Sequence, residues 1–151
     1  MLDSTDKKLI NLLQKDSKQT TKQLSLQLNL SVTAVYERIK KLEKNKVIEK
    51  YVAIVNKNKI EKSFLVFCHL KLLQHSREYV TTFEREVLKL EEVSECFHVS
   101  GDYDYILKIY VKDMDEYRNF MVKKLTAIKY IGSTHSTFAI EEVKNTTVIN
   151  L

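Results

Sequence analysis

The chain contains no proline, no tryptophan, only two glycines and only two cysteines among its 151 residues. So little glycine excludes a glycine-rich phosphate loop and a nucleophile elbow, which mark many nucleotide-binding enzymes and hydrolases. Turns must therefore depend on asparagine, aspartate, serine and lysine. No apolar run approaches the roughly 20 residues that span a bilayer, so we expect no membrane partner.

The opening residues, MLDSTDKK, also lack the apolar core of a secretory signal peptide. We therefore expect a cytoplasmic protein in which Cys68 and Cys96 remain free thiols and form no disulfide. The four histidines and two cysteines show no spacing typical of a metal site. His98 lies two residues from Cys96, but no third ligand is in view, and we expect neither a metal nor a cofactor.

Positive charge is concentrated at the N-terminal end of the chain. Residues 1–50 hold 11 lysines and arginines against 6 acidic residues, whereas residues 63–151 hold 11 against 13. The whole excess behind the net charge of +5 therefore lies before residue 63. Such asymmetry suggests a polyanionic partner for the N-terminal half alone, whereas an even spread would indicate simple solubility.

Residues 20–46 have the pattern of a helix-turn-helix. Thr20, with Gln23 three residues later, has the spacing of a capping box at the start of a short helix. Asn29 stands where that helix should stop, because asparagine tolerates the left-handed conformation of a turn. Ser31 then suits the N-cap of a following helix.

The second of these helices combines an apolar stripe with a basic outer face. Val35, Ile39 and Leu42 recur at i, i+4 and i+7, which leaves small residues and then lysines on the other side. This pattern suits a recognition helix on double-stranded DNA, although a solvated lysine face on two ordinary amphipathic helices gives a similar pattern. The predicted DNA-binding residues are Thr20, Ser31, Thr33, Ala34, Tyr36, Glu37, Arg38, Lys40, Lys41 and Lys44.

The side-chain chemistry divides these residues by role. Thr33 and Ala34 suit base edges, because a hydroxyl donates or accepts and a methyl meets thymine. Arg38 and the lysines suit phosphates, although Arg38 can also fork onto guanine. Tyr36 either packs on the first helix or touches DNA. Glu37 either pairs with the lysine four residues later or repels wrong sequences.

The apolar pattern predicts two domains. A first helix over residues 3–15 should complete a three-helix head, and a β-prone segment at 47–51 suggests a small wing. The predicted division is a helix-turn-helix domain with a short wing at residues 1–55, a linker at 56–62 and a second domain at 63–151.

The second domain should fold as a βαββαβ unit of the ferredoxin-like kind. We predict strands at 64–73, 93–100, 104–112 and 131–143, and helices at 76–90 and from Asp113, where Glu116 would complete a capping box. The fold class is therefore α+β. Residues 64–67 are apolar on both faces of their strand, so we expect the open face of the sheet to bury against a second copy.

Together these segments resemble the Lrp/AsnC family of transcriptional regulators, also called feast/famine regulatory proteins. The resemblance covers residues 2–143. It is carried by LDSTDKKLINLLQKD, SVTAVYERIKKLEK, VIEKY, VSGDYDYILKI and FAIEEVK. It implies a homodimer through the sheets, assembly into octamers or larger rings, association with the nucleoid, and a small amino-acid effector bound near the GDYD hairpin between neighbouring dimers.

The effector residues are carried over by position from this resemblance. They are His98, Ser100, Gly101, Asp102, Asp104, Met114, Thr134, Ser136, Thr137 and Phe138. A carboxylate such as Asp104 suits an α-ammonium, and amides near Gly101 suit an α-carboxylate, although glycine and aspartate are also ordinary turn residues. His98 and Thr137 are more polar than the groups common at these positions, which argues against naming leucine.

The leading hypothesis is a sequence-specific DNA-binding transcriptional regulator that responds to an amino acid or related small effector, and not an enzyme. One alternative is an architectural protein that wraps DNA as an oligomer, with salt-sensitive binding that ignores every amino acid. A haem-pathway decarboxylase-like enzyme shares the second domain's architecture, but it should have a less basic head and histidines and arginines around a tetrapyrrole.

Overall fold

The computed structural model describes residues 2–151 and separates into two compact units. The first, which we call the head, comprises the described residues up to Ile54 together with Val143–Leu151. The second, the effector domain, is Val55–Glu142. The division predicted from sequence kept the C-terminal segment with the second domain, because apolar periodicity does not report where a chain terminus docks. No helix in residues 2–151 has both the length and the apolar character needed to cross a bilayer.

Three helices form the body of the head: α1 (Ser4–Lys15), α2 (Thr21–Leu28) and α3 (Val32–Lys44). Asp3 caps α1, where its carboxylate accepts the Asp6 amide at 2.7 Å and Asp6 in turn accepts the Asp3 amide. The helices meet through a common apolar stripe, as the sequence predicts. The buried residues of this core are Leu9, Ile10, Leu13, Leu24, Val35 and Leu42.

The C-terminal segment contacts α1 through a side-chain amide. Gln14 donates to the carbonyl of Ile149 at 2.8 Å and accepts the Ile149 amide at 2.8 Å. One side chain thus satisfies both polar backbone groups of one residue, as a neighbouring strand would. This pair joins α1 to residues 143–151 within the head.

The segment predicted as a small wing, residues 47–51, forms no strand in this structure. The amides of Val47 and Ile48 instead donate to the Leu42 carbonyl, at 2.9 and 3.2 Å. They therefore close the end of α3, with Lys46 at a φ of 56°, and satisfy a helix-terminal carbonyl. Backbone groups engaged in this way cannot pair with a strand.

The effector domain has the predicted βαββαβ order. Its elements are β1 (Phe64–Leu72), α4 (Arg77–Val87), β2 (Val93–His98), β3 (Tyr105–Val111), α5 (Met114–Phe120), continued by a π-helical turn at Met121–Leu125, and β4 (Ile131–Phe138). All strand pairs are antiparallel, and the order across the sheet is β2-β3-β1-β4.

One face of this sheet is covered and the other is open. Along β1, Val66, Cys68 and Leu70 are fully buried, whereas Phe67 between them is only half-buried. The buried row packs with Phe83 of α4 and with α5. Helices therefore cover one side of the sheet. On the other side, Phe67 and His69 of β1 are only partly buried, whereas Leu65 is buried.

Two predicted details of this domain are corrected. β4 ends at Phe138 and not at residue 143, because Ala139 makes the last bond to β1, donating to Leu65 at 3.0 Å, and β1 itself begins one residue earlier. Asp113 does cap α5, accepting the Glu116 amide at 2.9 Å. The Glu116 carboxylate, however, accepts the Lys112 amide, so only half of the predicted capping box forms.

Candidate DNA and effector sites

The turn between α2 and α3 is fixed by side-chain caps. The Thr20 hydroxyl accepts the Gln23 amide at 3.2 Å, and the Gln23 side chain accepts the Thr20 amide at 2.8 Å. Asn29 ends α2 at a φ of 54° and a ψ of 47°, and the Ser31 hydroxyl accepts the Ala34 amide at 3.1 Å. These three predictions of local structure are confirmed. Thr20 and Ser31 serve as the N-caps of α2 and α3.

The outer face of α3 collects most of the predicted DNA-binding residues. The inner face is held by Val35, which is fully buried, and by Leu42. Ala34 is partly exposed at the first turn of the helix. The exposed residues opposite the core are Thr33, Tyr36, Glu37, Lys40, Lys41 and Lys44. The helix therefore presents a hydroxyl at its N-terminal end and ammonium groups toward its C-terminal end. This arrangement suits a recognition helix, whose polar groups contact bases while its cations contact phosphates.

The lysines of this face differ in their partners. Lys40 lies 3.0 Å from the carboxylate of Glu43, whose hydrogen bond raises the pKa of Lys40. The predicted pair between Glu37 and Lys41 does not form in the described part of the chain. Lys41 and Lys44 make no ion pair within residues 2–151, which leaves their charges available to phosphates.

Arg38 occupies a different environment from these lysines. Its Nη1 lies 2.7 Å from Asp3 and 2.6 Å from Asp6, and the Asp6 side chain is only 4% exposed. Hydrogen bonds to both carboxylates raise the pKa of Arg38. The Asp6 amide, and then the guanidinium, hold the pKa of Asp3 below its usual value. Arg38 thus joins α3 to the capped start of α1, a link that sequence spacing did not reveal.

The hairpin between β2 and β3 contains five predicted effector residues. Gly101 has a φ of 118°, which favours glycine. Asp104 is already engaged, because its carboxylate accepts the Leu72 amide at 2.8 Å and its own amide donates to Leu70 at 2.9 Å. Asp102 is exposed and makes no hydrogen bond within residues 2–151. The carboxylate of Asp102 is therefore more available to a ligand than that of Asp104. Ser100, two residues before Asp102, is also exposed.

A cluster of imidazole and phenol groups adjoins this hairpin. His75 Nδ1 lies 3.3 Å from Asp104 Oδ1, and the His75 ring centroid lies 5.6 Å from that of His98. The His98 ring stacks on Tyr105, with centroids 4.6 Å apart and planes at 19°. Tyr105 donates to Glu84 at 2.9 Å, and burial followed by this bond raises the pKa of Tyr105. Sequence reasoning missed His75, because only the fold places the β1–α4 loop against the hairpin.

The remaining predicted effector residues belong to α5 and β4. Met114, at the start of α5, is 42% exposed, and Phe138 on β4 is 41% exposed. The Ser136 hydroxyl lies 2.6 Å from that of Tyr117, whose pKa burial raises to about 12. The residues of this group are Met114, Thr134, Ser136, Thr137 and Phe138. The β4 members of this group lie near the hairpin in the same chain. Leu70 of β1 accepts the Asp104 amide and pairs with Thr134, and the ring centroids of Tyr103 and His135 lie 6.3 Å apart.

No three histidine, cysteine or acidic side chains within residues 2–151 are arranged to hold a metal ion. Both cysteines are free; Cys68 is buried and Cys96 partly so. Burial, with the charge of Glu84, raises the pKa of Cys96 to about 11. The thiol is therefore protonated and unreactive near neutral pH.

Comparison with known proteins assigns a family to each part of the chain. Residues 2–49 match the winged helix-turn-helix DNA-binding family, and residues 65–149 match the Lrp/AsnC ligand binding domain. The chain is 37% identical over 143 residues to the leucine-responsive regulatory protein of Escherichia coli strain K12, which covers 95% of this chain and 87% of the relative. The protein of that name from Serratia marcescens matches equally.

Solved structures agree with this assignment. An AsnC family transcriptional regulator from Agrobacterium tumefaciens is 33% identical with a TM-score of 0.94, over 98% of this chain and 96% of that one. A transcriptional regulator from Neisseria meningitidis, in complex with L-Met, is 27% identical with a TM-score of 0.94, over 99% of this chain and 96% of that one. Escherichia coli AsnC, at 18% identity and a TM-score of 0.89, shares the fold.

Proposed function

Because the chain belongs to the Lrp/AsnC family of transcriptional regulators, we propose how its two units divide the work of an effector-tuned regulator. Members of this family are regulators and not enzymes, and the chain is a DNA-binding regulator with an amino-acid-binding domain. In our proposal, α3 enters the major groove of duplex DNA, and the β2–β3 hairpin receives the effector. The observation that carries the proposal is the free basic face of α3 in the same chain as that hairpin.

On DNA, the residues of α3 take different parts. Thr33 and Ala34, at the N-terminal end of the helix, contact base edges. Lys41 and Lys44, which lack ion-pair partners among the described residues, contact phosphates, and Lys40 joins them by leaving Glu43. Arg38 does not contact DNA in this proposal; it positions α3 by holding the acidic start of α1. Such binding concentrates the protein on the nucleoid.

The open face of the effector-domain sheet supports a dimer of the chain. Phe97 is 50% exposed on β2, and half-buried Phe67 and Ile106 line neighbouring strands on the same side. We propose that a second copy covers this face and that the dimers assemble further into octamers. Two heads related by a two-fold axis then meet two half-sites of an operator.

The effector in this proposal is an amino acid bound where dimers meet. In this proposal residues of the hairpin and residues of β4, which lie on either side of β1 in one sheet, contribute to one pocket. Asp102 supplies the carboxylate for the α-ammonium, and backbone amides near Gly101 bind the α-carboxylate. Relatives are named for leucine, and one is solved with methionine, which supports a small amino acid.

Fluorescence anisotropy tests this function. The purified chain is titrated against duplex DNA from upstream of its own gene, and against a scrambled duplex, at near-physiological salt. Each titration is run with and without a pool of the 20 amino acids. We expect preferential binding to the upstream duplex that shifts with the pool. Preferential binding that ignores the pool would support the architectural alternative, and failure to bind either duplex would refute the proposal.

A further inference from the structure

We infer that the effector carries a side-chain carboxamide, as asparagine and glutamine do, and that His75 and His98 select it. The inference rests on the proposed function, because it takes the β2–β3 hairpin as the effector site. It goes further by deriving the side-chain chemistry of the ligand from the groups that this chain places there.

The first observation is the contact between His75 and Asp104. The 3.3 Å separation of His75 Nδ1 from Asp104 Oδ1 favours a proton on Nδ1. The Asp104 carboxylate is itself held in place, because its other oxygen accepts the Leu72 amide. In the neutral ring, Nε2 of His75 is then a hydrogen-bond acceptor. His75 is 64% exposed, so an outside donor can reach this nitrogen.

The second observation is the setting of His98. Its ring is exposed and lies flat against Tyr105, so that its orientation is fixed by stacking while its ring nitrogens make no hydrogen bond within residues 2–151. The Tyr105 ring is in turn held by its bond to Glu84. A neutral imidazole offers one N–H donor. His98 thus supplies a donor whose ring centroid lies 5.6 Å from that of His75.

One acceptor beside one donor matches a carboxamide, which has an N–H₂ group and a carbonyl oxygen on one carbon. An aliphatic side chain of the same shape would leave both imidazoles without partners wherever water is displaced. A carboxylate would match the donor alone. It would also meet the negative charges of Asp102, Asp104 and Glu84, which lie in or beside the hairpin. The local charge therefore favours the neutral amide over the acid.

Isothermal titration of the full-length chain with L-asparagine, L-aspartate and L-leucine tests the inference, since these three ligands have nearly the same shape. L-glutamine and L-methionine form a second, longer set. Two additional hydrogen bonds of about 0.5–1.5 kcal/mol each predict asparagine or glutamine to bind about 5- to 150-fold more tightly than its aliphatic counterpart. The variant His98→Phe keeps a ring against Tyr105 and should lose the part of this preference that the His98 donor supplies, whereas His98→Asn keeps a donor and should retain more of it.

The outcomes separate this inference from the proposed function. Leucine or methionine binding at least as tightly as the amides would overturn the carboxamide while leaving an amino-acid effector in place. Aspartate binding at least as tightly as asparagine would overturn the argument from charge, and with it the inference. An unchanged preference in His98→Phe would do the same. If no member of the 20-amino-acid pool binds, the proposed effector function fails as well. A circular dichroism spectrum and an unfolding midpoint equal to those of the parent chain show that each variant is folded.

Discussion

Arg38→Met tests whether the guanidinium holds α1 against α3 or contacts DNA. The substitution keeps a flexible side chain of similar length, but the Asp6 carboxylate, 4% exposed, loses its partner at 2.6 Å. Exposed ion pairs contribute about 0–1 kcal/mol, whereas breaking a buried pair costs about 3–5 kcal/mol. Because the Arg38 side chain is 29% exposed, we expect the free energy of unfolding of the head to fall by about 2–3 kcal/mol.

Urea unfolding of the full-length variants, followed by circular dichroism and by hydrogen exchange of α1 and α3, measures this loss. Arg38→Met, Asp6→Asn and the double variant form a double-mutant cycle, and we expect the double variant to lose less than the sum of the single losses. Asp3→Asn is the matched control. Asp3 is 53% exposed, and asparagine retains the helix cap, so we expect a loss below about 1 kcal/mol.

Salt titrations of DNA binding separate the two roles of Arg38. A lost phosphate contact lowers the slope of log K against log salt by about 0.9, whereas a misplaced recognition helix lowers affinity at every salt concentration. We expect Arg38→Met to bind more weakly with an unchanged slope. An unchanged unfolding free energy, together with a slope reduced by about 0.9 for each head bound, would refute the reasoning and return Arg38 to the phosphate contacts.

Three further outcomes are expected. Lys41→Gln with Lys44→Gln should leave the free energy of unfolding unchanged but reduce the salt slope of DNA binding by about 1.8 for each head bound. An unchanged slope would remove these lysines from the interface. Iodoacetamide should modify Cys96 slowly at pH 8 and faster as the pH rises toward its pKa of about 11, because only the thiolate reacts; rapid labelling at pH 8 by mass spectrometry would contradict its burial. Gln14→Leu should increase hydrogen exchange at Ile149 and its neighbours through loss of two hydrogen bonds, whereas equal exchange in both proteins would show that the amide does not hold the segment.

Local chemistry made much of the fold predictable. Helix boundaries at Thr20, Asn29, Ser31 and Asp113 depend on contacts within one helical turn. The residue types at these positions therefore predict the boundaries directly. The strand and helix order of the effector domain followed from apolar alternation. The end of β4 did not, because it depends on where β1 begins, some 70 residues earlier in the chain.

The sites were less accessible to sequence reasoning for the same physical reason. Exposure along α3 follows from helical periodicity, and the outer face was therefore predicted. Arg38 contacts the start of α1, and His75 contacts Asp104. The partners in each contact are more than 25 residues apart in the sequence, so no rule based on local spacing predicts them. Arginine and histidine at these positions could each contact a ligand or another residue of the chain. Only the folded geometry shows that Arg38 and His75 contact other residues of the chain.

The Gln14–Ile149 pair has a consequence for the order in which the protein is made. The effector domain is an insertion between two parts of the head, so a ribosome synthesises the three helices first, the whole sheet next and residues 143–151 of the head after the sheet. Synthesis of the effector domain is therefore complete before synthesis of the head is complete. A chain cut short after Glu142 would therefore keep an intact effector domain beside an unfinished head. Its DNA-binding unit would lack the two hydrogen bonds between Gln14 and Ile149.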